Sequence, residues 1–207
     1  MLETVLTIPF WLEMAAALTG GLSGAMSAVR ARYDMFGVAC IAIITGLAGG
    51  IMRDLLLQDY GIYAFQKPTL IVACAVAGVI VFYFGKLATY LDPIVDLLDN
   101  LSVALWAVIS VGKGIAAGLD IIPSVILGTI TAVGGGILRD VLGGITPAVL
   151  RKRIYAVASL MGAWLYYELT RLNVDGSASV LAGMGLTLVI RMLAAHYQWR
   201  LPKVPHP

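Results

Sequence analysis

Residues 45–56 read TGLAGGIMRDLL, and residues 131–142 read TAVGGGILRDVL. Seven of the twelve positions are identical, at an offset of 86 residues. Each copy sets a glycine cluster and an Arg-Asp pair inside, or at the edge of, an apolar stretch. Lipid penalises both choices, because glycine loosens a helix and an intramembrane charge is expensive. A feature that costs free energy and occurs twice at a fixed spacing points to where function lies.

The surroundings of the two copies set the fold class. Of 207 residues, 60% are hydrophobic and only 13% charged, with mean hydropathy +0.91. A soluble domain carries about 25% charged residues. A spanning helix needs about 20 mostly apolar residues, and seven such runs are predicted, at 8–29, 36–57, 68–90, 94–115, 121–142, 152–171 and 177–196. The runs are continuous rather than alternating in ten-residue blocks, which excludes a β-barrel pattern. The fold class is an all-α integral membrane protein with short connections and no room for a soluble domain. The first run is not a cleavable signal, since Glu3 opens it without Lys or Arg and the run is long enough to span.

Few residues offer other chemistry. Cys40 and Cys74 fall inside predicted spans, without Cys-x-x-Cys spacing or nearby histidines, and read as buried small hydrophobes. The two histidines, His196 and His206, lie at the C-terminal end. Hydrolytic or zinc chemistry therefore has almost no material, no cofactor is expected, and the chain reads as a non-enzyme without a nucleic-acid partner.

The 86-residue offset extends beyond the motif without a gap. Leu12 aligns with Leu98, Glu13 with Asp99, Ala31 with Ala117, Asp34 with Asp120, and Lys67 with Arg153. The unit is about three helices long, and an odd number of spans sends the second copy through the membrane upside down. Residues 8–90 and 94–171 are thus expected as two inverted three-helix repeats, with 177–196 as a seventh helix that completes the bundle or contributes to oligomer contacts. Inverted repeats place their substrate or ion site near the midplane, at interrupted helices. Basic residues favour the cytoplasmic side. With the N-terminus outside, that side collects Arg30, Arg32, Lys86, Arg151, Lys152, Arg153, Arg200 and Lys203, against Lys67, Lys113 and Arg171 outside. The C-terminus is therefore expected in the cytoplasm.

The glycines have two readings. Gly46-x-x-x-Gly50 matches the small-xxx-small spacing of closely packed membrane helices. Consecutive glycines such as Gly49-Gly50 and Gly134-Gly135-Gly136 each weaken a helix by roughly 1 kcal/mol relative to Ala, which predicts a bend or break at a protein-lined cavity. Arg53 shares a helix face with Gly49 and Gly50, and Arg139 with Gly135 and Gly136. Asp54 and Asp140 point about 100° further round. These charges either snorkel to headgroups or line two vestibules. Glu13 and Asp99, one near each mouth, are expected to attract cations, or else are interfacial carboxylates in water. Thr19, Ser23 and Ser27 make a polar stripe on the first segment, and Ser102 and Ser110 continue it on the fourth. Lys113, whose repeat mate is Ser27, either tunes the pathway or snorkels, and snorkelling is the favoured expectation.

These residues carry a family resemblance. LAGGIMRD (47–54), LDNLSVALWAVISVGKG (98–114) and the long segment 123–163 resemble the trimeric intracellular cation (TRIC) channel family, specifically its short prokaryotic, glycine-transporter-like inner-membrane members. The resemblance spans nearly the whole chain. It implies a homotrimer with a pore in each protomer, between the repeats and lined by kinked second and fifth helices. It also implies a monovalent cation, mainly potassium, as the permeant species. By motif position it carries over to Gly49, Gly50, Arg53 and Asp54, and to Gly134, Gly135, Gly136, Arg139 and Asp140. Regulation by the long basic tail of vertebrate members does not transfer, because this chain ends in KVPHP. The repeat alone also suits a carrier of a small solute such as glycine, and a structural oligomer without conduction is a third reading.

Overall fold

The computed structural model describes residues 8–85, 92–151 and 154–199. Among these residues the chain is all-α. It comprises α1 (Phe10–Arg30), α2 (Met35–Leu57), a single turn α3 (Tyr63–Gln66) and α4 (Thr69–Tyr83). There follow α5 (Asp92–Ala116), α6 (Ile121–Leu142), a second single turn α7 (Ala148–Arg151), α8 (Tyr155–Arg171) and α9 (Gly176–His196). Each of the seven expected segments is a helix. Four helical stretches, at 35–57, 93–116, 121–142 and 176–196, are long and apolar enough to cross a membrane. The expected third span ends earlier than drawn, at Tyr83, and its residues 86–90 lie outside the described residues. So do Lys152 and Arg153, Arg200 and Lys203.

Local chemistry sets the boundaries. Asp34 starts α2 by accepting from the Gly37 amide at 2.7 Å, and Asp175 starts α9 by accepting from the Ala178 amide at 3.0 Å. Each satisfies one of the donors that a helix N-terminus leaves free. Asp120, the repeat mate of Asp34, occupies the same N-cap position on α6. Gly118 and Gly144 close the turns after α5 and α6 at φ of 79° and 69°, a region that L side chains rarely adopt. The turns α3 and α7 escaped the sequence reading because four residues carry no periodicity.

The packing repeats with the sequence. Helices α1, α2 and α4 pack mutually, and so do α5, α6 and α8. The two triads join through α1 on α5 and α2 on α6, while α9 lies on α8 and α5. The unrepeated helix thus packs against the second triad. Inside lipid there is little hydrophobic drive between helices, so close packing and polar contacts must hold them together.

The glycine clusters supply the closest backbone contacts, and of the expected bend or break, no break is found. Both α2 and α6 are continuous helices through their glycines. A Cβ on Gly49 would collide with the Thr131 carbonyl oxygen, and one on Gly135 with the Thr45 carbonyl oxygen. Position 45 meets 135 while 49 meets 131, so the two helices run antiparallel, and each contact is the repeat mate of the other. The glycines remove side chains where two backbones cross.

Candidate functional site

The two Arg-Asp pairs lie on either side of this crossing, and each is internally paired. Arg53 Nε donates to Asp54 Oδ1 at 2.8 Å, and Arg139 Nε to Asp140 Oδ1 at 2.9 Å. Asp54 Oδ2 also accepts from the Tyr63 amide at 2.9 Å, and Asp140 Oδ2 from the Ala148 amide at 2.7 Å. The amides come from α3 and α7, which explains why each motif is followed by one helical turn. Each aspartate therefore orients its own arginine and holds the incoming chain. Arg53 is only 1% exposed, which rules out snorkelling for that side chain.

Around Asp99 the groups are arranged at the wall of a cavity of about 640 Å³, lined among others by Ser23, Ser27, Asp99, Arg139, Asp140 and Arg191. Asp99 Oδ1 accepts from Arg139 Nη1 at 3.0 Å. Its Oδ2 accepts from Tyr155 OH at 2.7 Å and from Arg191 Nη2 at 2.9 Å. Arg139 Nη1 also donates to Ser23 Oγ at 3.3 Å. Arg191 lies over the Tyr155 ring, 3.8 Å from its centroid, and its Nε donates to Asn100 Oδ1. Ser27 donates back to its own helix at the Ser23 carbonyl, and Thr19 does likewise at Ala15. Of the expected serine-threonine stripe, only Ser23 reaches across to the arginine of the other half.

Asp99 and Tyr155 also line a second void of about 10 Å³ at the glycine crossing, together with Thr45, Gly49, Thr131 and Gly135. One water needs about 10–15 Å³, so the crossing is a constriction.

On its far side Glu13 and Lys113 form an ion pair at 2.6 Å. Lys113 Nζ lies 4.2 Å and 5.0 Å from the ring centroids of Tyr63 and Tyr60. The Trp106 indole fills the notch left by Gly50 and carries the Arg53 guanidinium 5.4 Å from its ring centroid. Tyr60 OH donates to Asp54 Oδ1 at 3.0 Å. Burial, reinforced by Asp54, holds the Tyr60 phenol well above its ordinary range despite the opposing pull of Arg53. Burial and then Glu13 raise Tyr63 in the same direction. Among the described residues, Glu13 Oε2, Arg53 Nη1, Trp106 Nε1 and Ser110 Oγ are buried without a hydrogen-bond partner.

Two expectations are thereby corrected. Glu13 and Asp99 are not free carboxylates at open mouths: Glu13 is neutralised by Lys113, and Asp99 by Arg139 and Arg191. Lys113 does not snorkel, since its side chain turns inward to an acid on α1. Asp54 and Asp140 leave their helices about 100° round from their arginines, and each long arginine side chain bends back to reach its neighbour. Sequence reasoning missed Arg191, Asn100, Trp106, Tyr60, Tyr63 and Tyr155. The available signal was Arg191 itself, a charge inside an otherwise apolar last segment.

Known proteins match this chain throughout. The family model described as Glycine transporter matches twice, over residues 10–86 and 96–171, the second match starting 86 residues after the first. The UPF0126 inner membrane protein YadS of Escherichia coli K12 is 31% identical over 198 residues, covering 93% of this chain and 94% of the relative. The UPF0126 membrane protein SCO4104 of Streptomyces coelicolor is 36% identical over 195 residues, covering 94% and 89%. Among solved structures, the TRIC trimeric intracellular cation channel orthologue from Rhodobacter sphaeroides superposes with a TM-score of 0.87 at 28% identity, covering 91% of this chain and 97% of that one. A second TRIC cation channel superposes at 0.87 with 27% identity, covering 97% and 99%. With a family model matched in both halves and the whole fold shared, the chain belongs to the Glycine transporter (UPF0126) family, as a prokaryotic member of the TRIC family.

Proposed function

We propose that this protein is a cation channel of the inner membrane, permeable to potassium, with a separate ion pathway in each protomer of a homotrimer. The observation that carries the reading is the line of polar groups through the protomer. It runs from the cavity of about 640 Å³, past Asp99 and Tyr155, through the glycine crossing between α2 and α6, to Trp106, Arg53 and the Glu13–Lys113 pair. Orphaned polar atoms in a low-dielectric interior cost free energy unless water or an ion reaches them. Glu13 Oε2, Arg53 Nη1 and Ser110 Oγ gather on the far side of the constriction, as a hydrated route requires. In this reading the crossing, whose void of about 10 Å³ holds at most about one water, is the closed point of the pathway.

The similar structures are TRIC cation channels, which supports conduction over carriage. In this reading residues 8–90 and 94–171 are inverted repeats about an axis in the membrane plane, 177–196 is the seventh span, the N-terminus lies outside and the C-terminus in the cytoplasm. The pathway residues are Gly49, Gly50, Arg53, Asp54, Gly134, Gly135, Gly136, Arg139, Asp140, Glu13, Asp99, Ser23, Ser27, Ser110 and Lys113. The test is potassium efflux from liposomes holding purified protein. Potassium efflux that exceeds that of empty liposomes once a protonophore compensates the charge, and that chloride does not follow, is expected. Liposomes no leakier than empty ones refute the reading.

A further inference from the structure

Each half of the protein caps its carboxylate with a cation that the repeat does not encode. Glu13 is capped by Lys113, whose repeat mate is Ser27. Asp99, the mate of Glu13, is capped by Arg191 from α9, which has no repeat mate at all. Both cations rest on tyrosine rings, Lys113 on Tyr63 and Tyr60, Arg191 on Tyr155. Unrelated residues have thus reached the same arrangement at equivalent places, which is more than a chance ion pair offers.

The two guanidiniums on Asp99 are held differently. Arg139 is fixed from behind by Asp140, which is itself fixed by the Ala148 amide. Among the described residues, no carboxylate besides Asp99 is paired with Arg191. Its Nε takes the neutral Asn100, its face takes Tyr155, and its Nη1 is buried without a partner. What positions it is the helix. Gly162 on α8 lies against Thr187 and the Gly183 carbonyl of α9 so closely that a Cβ there would collide with both. Thr187 precedes Arg191 by four residues, so the α8–α9 crossing sets the guanidinium one helical turn away.

We propose that Arg191 is a selectivity-determining tethered cation: it occupies the face of Asp99 that a permeating cation would take, and movement of α9 frees that face. Asp99, Asp140, Arg139 and Arg191 sum to zero charge, and removing Arg191 leaves one negative charge at the base of the cavity. A cavity of one sign concentrates counter-ions by roughly tenfold or more. This inference rests on the channel reading above.

The test is planar-bilayer recording of the purified full chain in a tenfold KCl gradient. Arg191→Gln should raise unitary conductance and move the reversal potential toward the potassium equilibrium value, with cation-over-anion permeability up by roughly tenfold. Arg191→Lys keeps the charge and should reverse where wild type does. The double variant Asp99→Asn with Arg191→Gln buries no unpaired charge, so it guards against misfolding. It should reverse like wild type yet conduct more, because the cap is gone. A reversal potential in Arg191→Gln equal to wild type, a shift in Arg191→Lys as large as in Arg191→Gln, or a double variant with wild-type conductance overturns the inference while leaving the channel intact. A silent wild type beside a conducting Arg191→Gln supports it as a plug. Silence in every variant sinks the channel reading and this inference together.

Discussion

Replacing Gly135 with Ala adds one carbon where the backbones of α2 and α6 cross. That carbon would press on the Thr45 carbonyl oxygen, a backbone atom of the opposing helix that cannot rotate away. Restoring an ordinary C···O contact of about 3.3 Å requires α2 and α6 to part by about 1 Å. Overpacking of this kind costs about 1–3 kcal/mol, the upper end applying where backbone faces backbone. Alanine returns about 1 kcal/mol of helix propensity. The net loss is about 2 kcal/mol, a fall in Tm of about 4–8 °C for a chain of this length. Gly49→Ala should match it, since its Cβ meets the Thr131 carbonyl in the mirror contact. Two controls separate this from a general intolerance of change. At Gly185 an added Cβ meets nothing within 4 Å, so Gly185→Ala should be neutral or stabilising. At Gly136 the nearest atoms are side-chain ends, Tyr155 OH at 3.3 Å and Arg139 Nη2 at 3.8 Å, and a small effect is expected. Thermal unfolding in detergent, followed by circular dichroism, ranks the four. Gly135→Ala melting at or above Gly185→Ala refutes the close-crossing account.

Other predictions follow from the ion pairs and the loop. Lys113→Met strands the Glu13 carboxylate in the interior and should cost about 3–5 kcal/mol, while Glu13→Gln added to it should recover much of the loss; denaturant titration of the cycle checks this, and no recovery counts against the pair. Asp99→Asn leaves the cavity group one positive charge in excess, so its reversal potential in a KCl gradient should move away from the potassium value, opposite in sign to Arg191→Gln. The raised Tyr60 and Tyr63 phenols favour their neutral forms in the folded state. The stability they confer is intact below about pH 10, the ordinary tyrosine value, and falls as pH rises above it. Absorbance of phenolate at alkaline pH should show a late-titrating fraction that Tyr60→Phe reduces, and a titration unchanged by that substitution contradicts the assignment.

The helices were legible because an apolar run of spanning length has few other fates in a chain so poor in charge. The repeat was legible because both copies keep the expensive residues. The glycines were legible only as a choice between close packing and a break, since a doublet weakens an isolated helix but costs little when a partner backbone fills the notch, as Thr131 does at Gly49. The partners of Glu13, Asp99 and Lys113 were not legible. Lys113 finds its acid a hundred residues back on α1, and Asp99 finds Arg191 on a helix that the repeat does not contain. Such pairings arise from three-dimensional approach, and the internal alignment, which matches Lys113 with Ser27, points away from them.

Single-channel recording of the purified wild-type protein in a planar bilayer, with a potassium gradient and an impermeant anion, tests the central claim most directly. The account predicts discrete unitary steps that reverse near the potassium equilibrium potential. Saturable glycine counterflow without unitary current would contradict it.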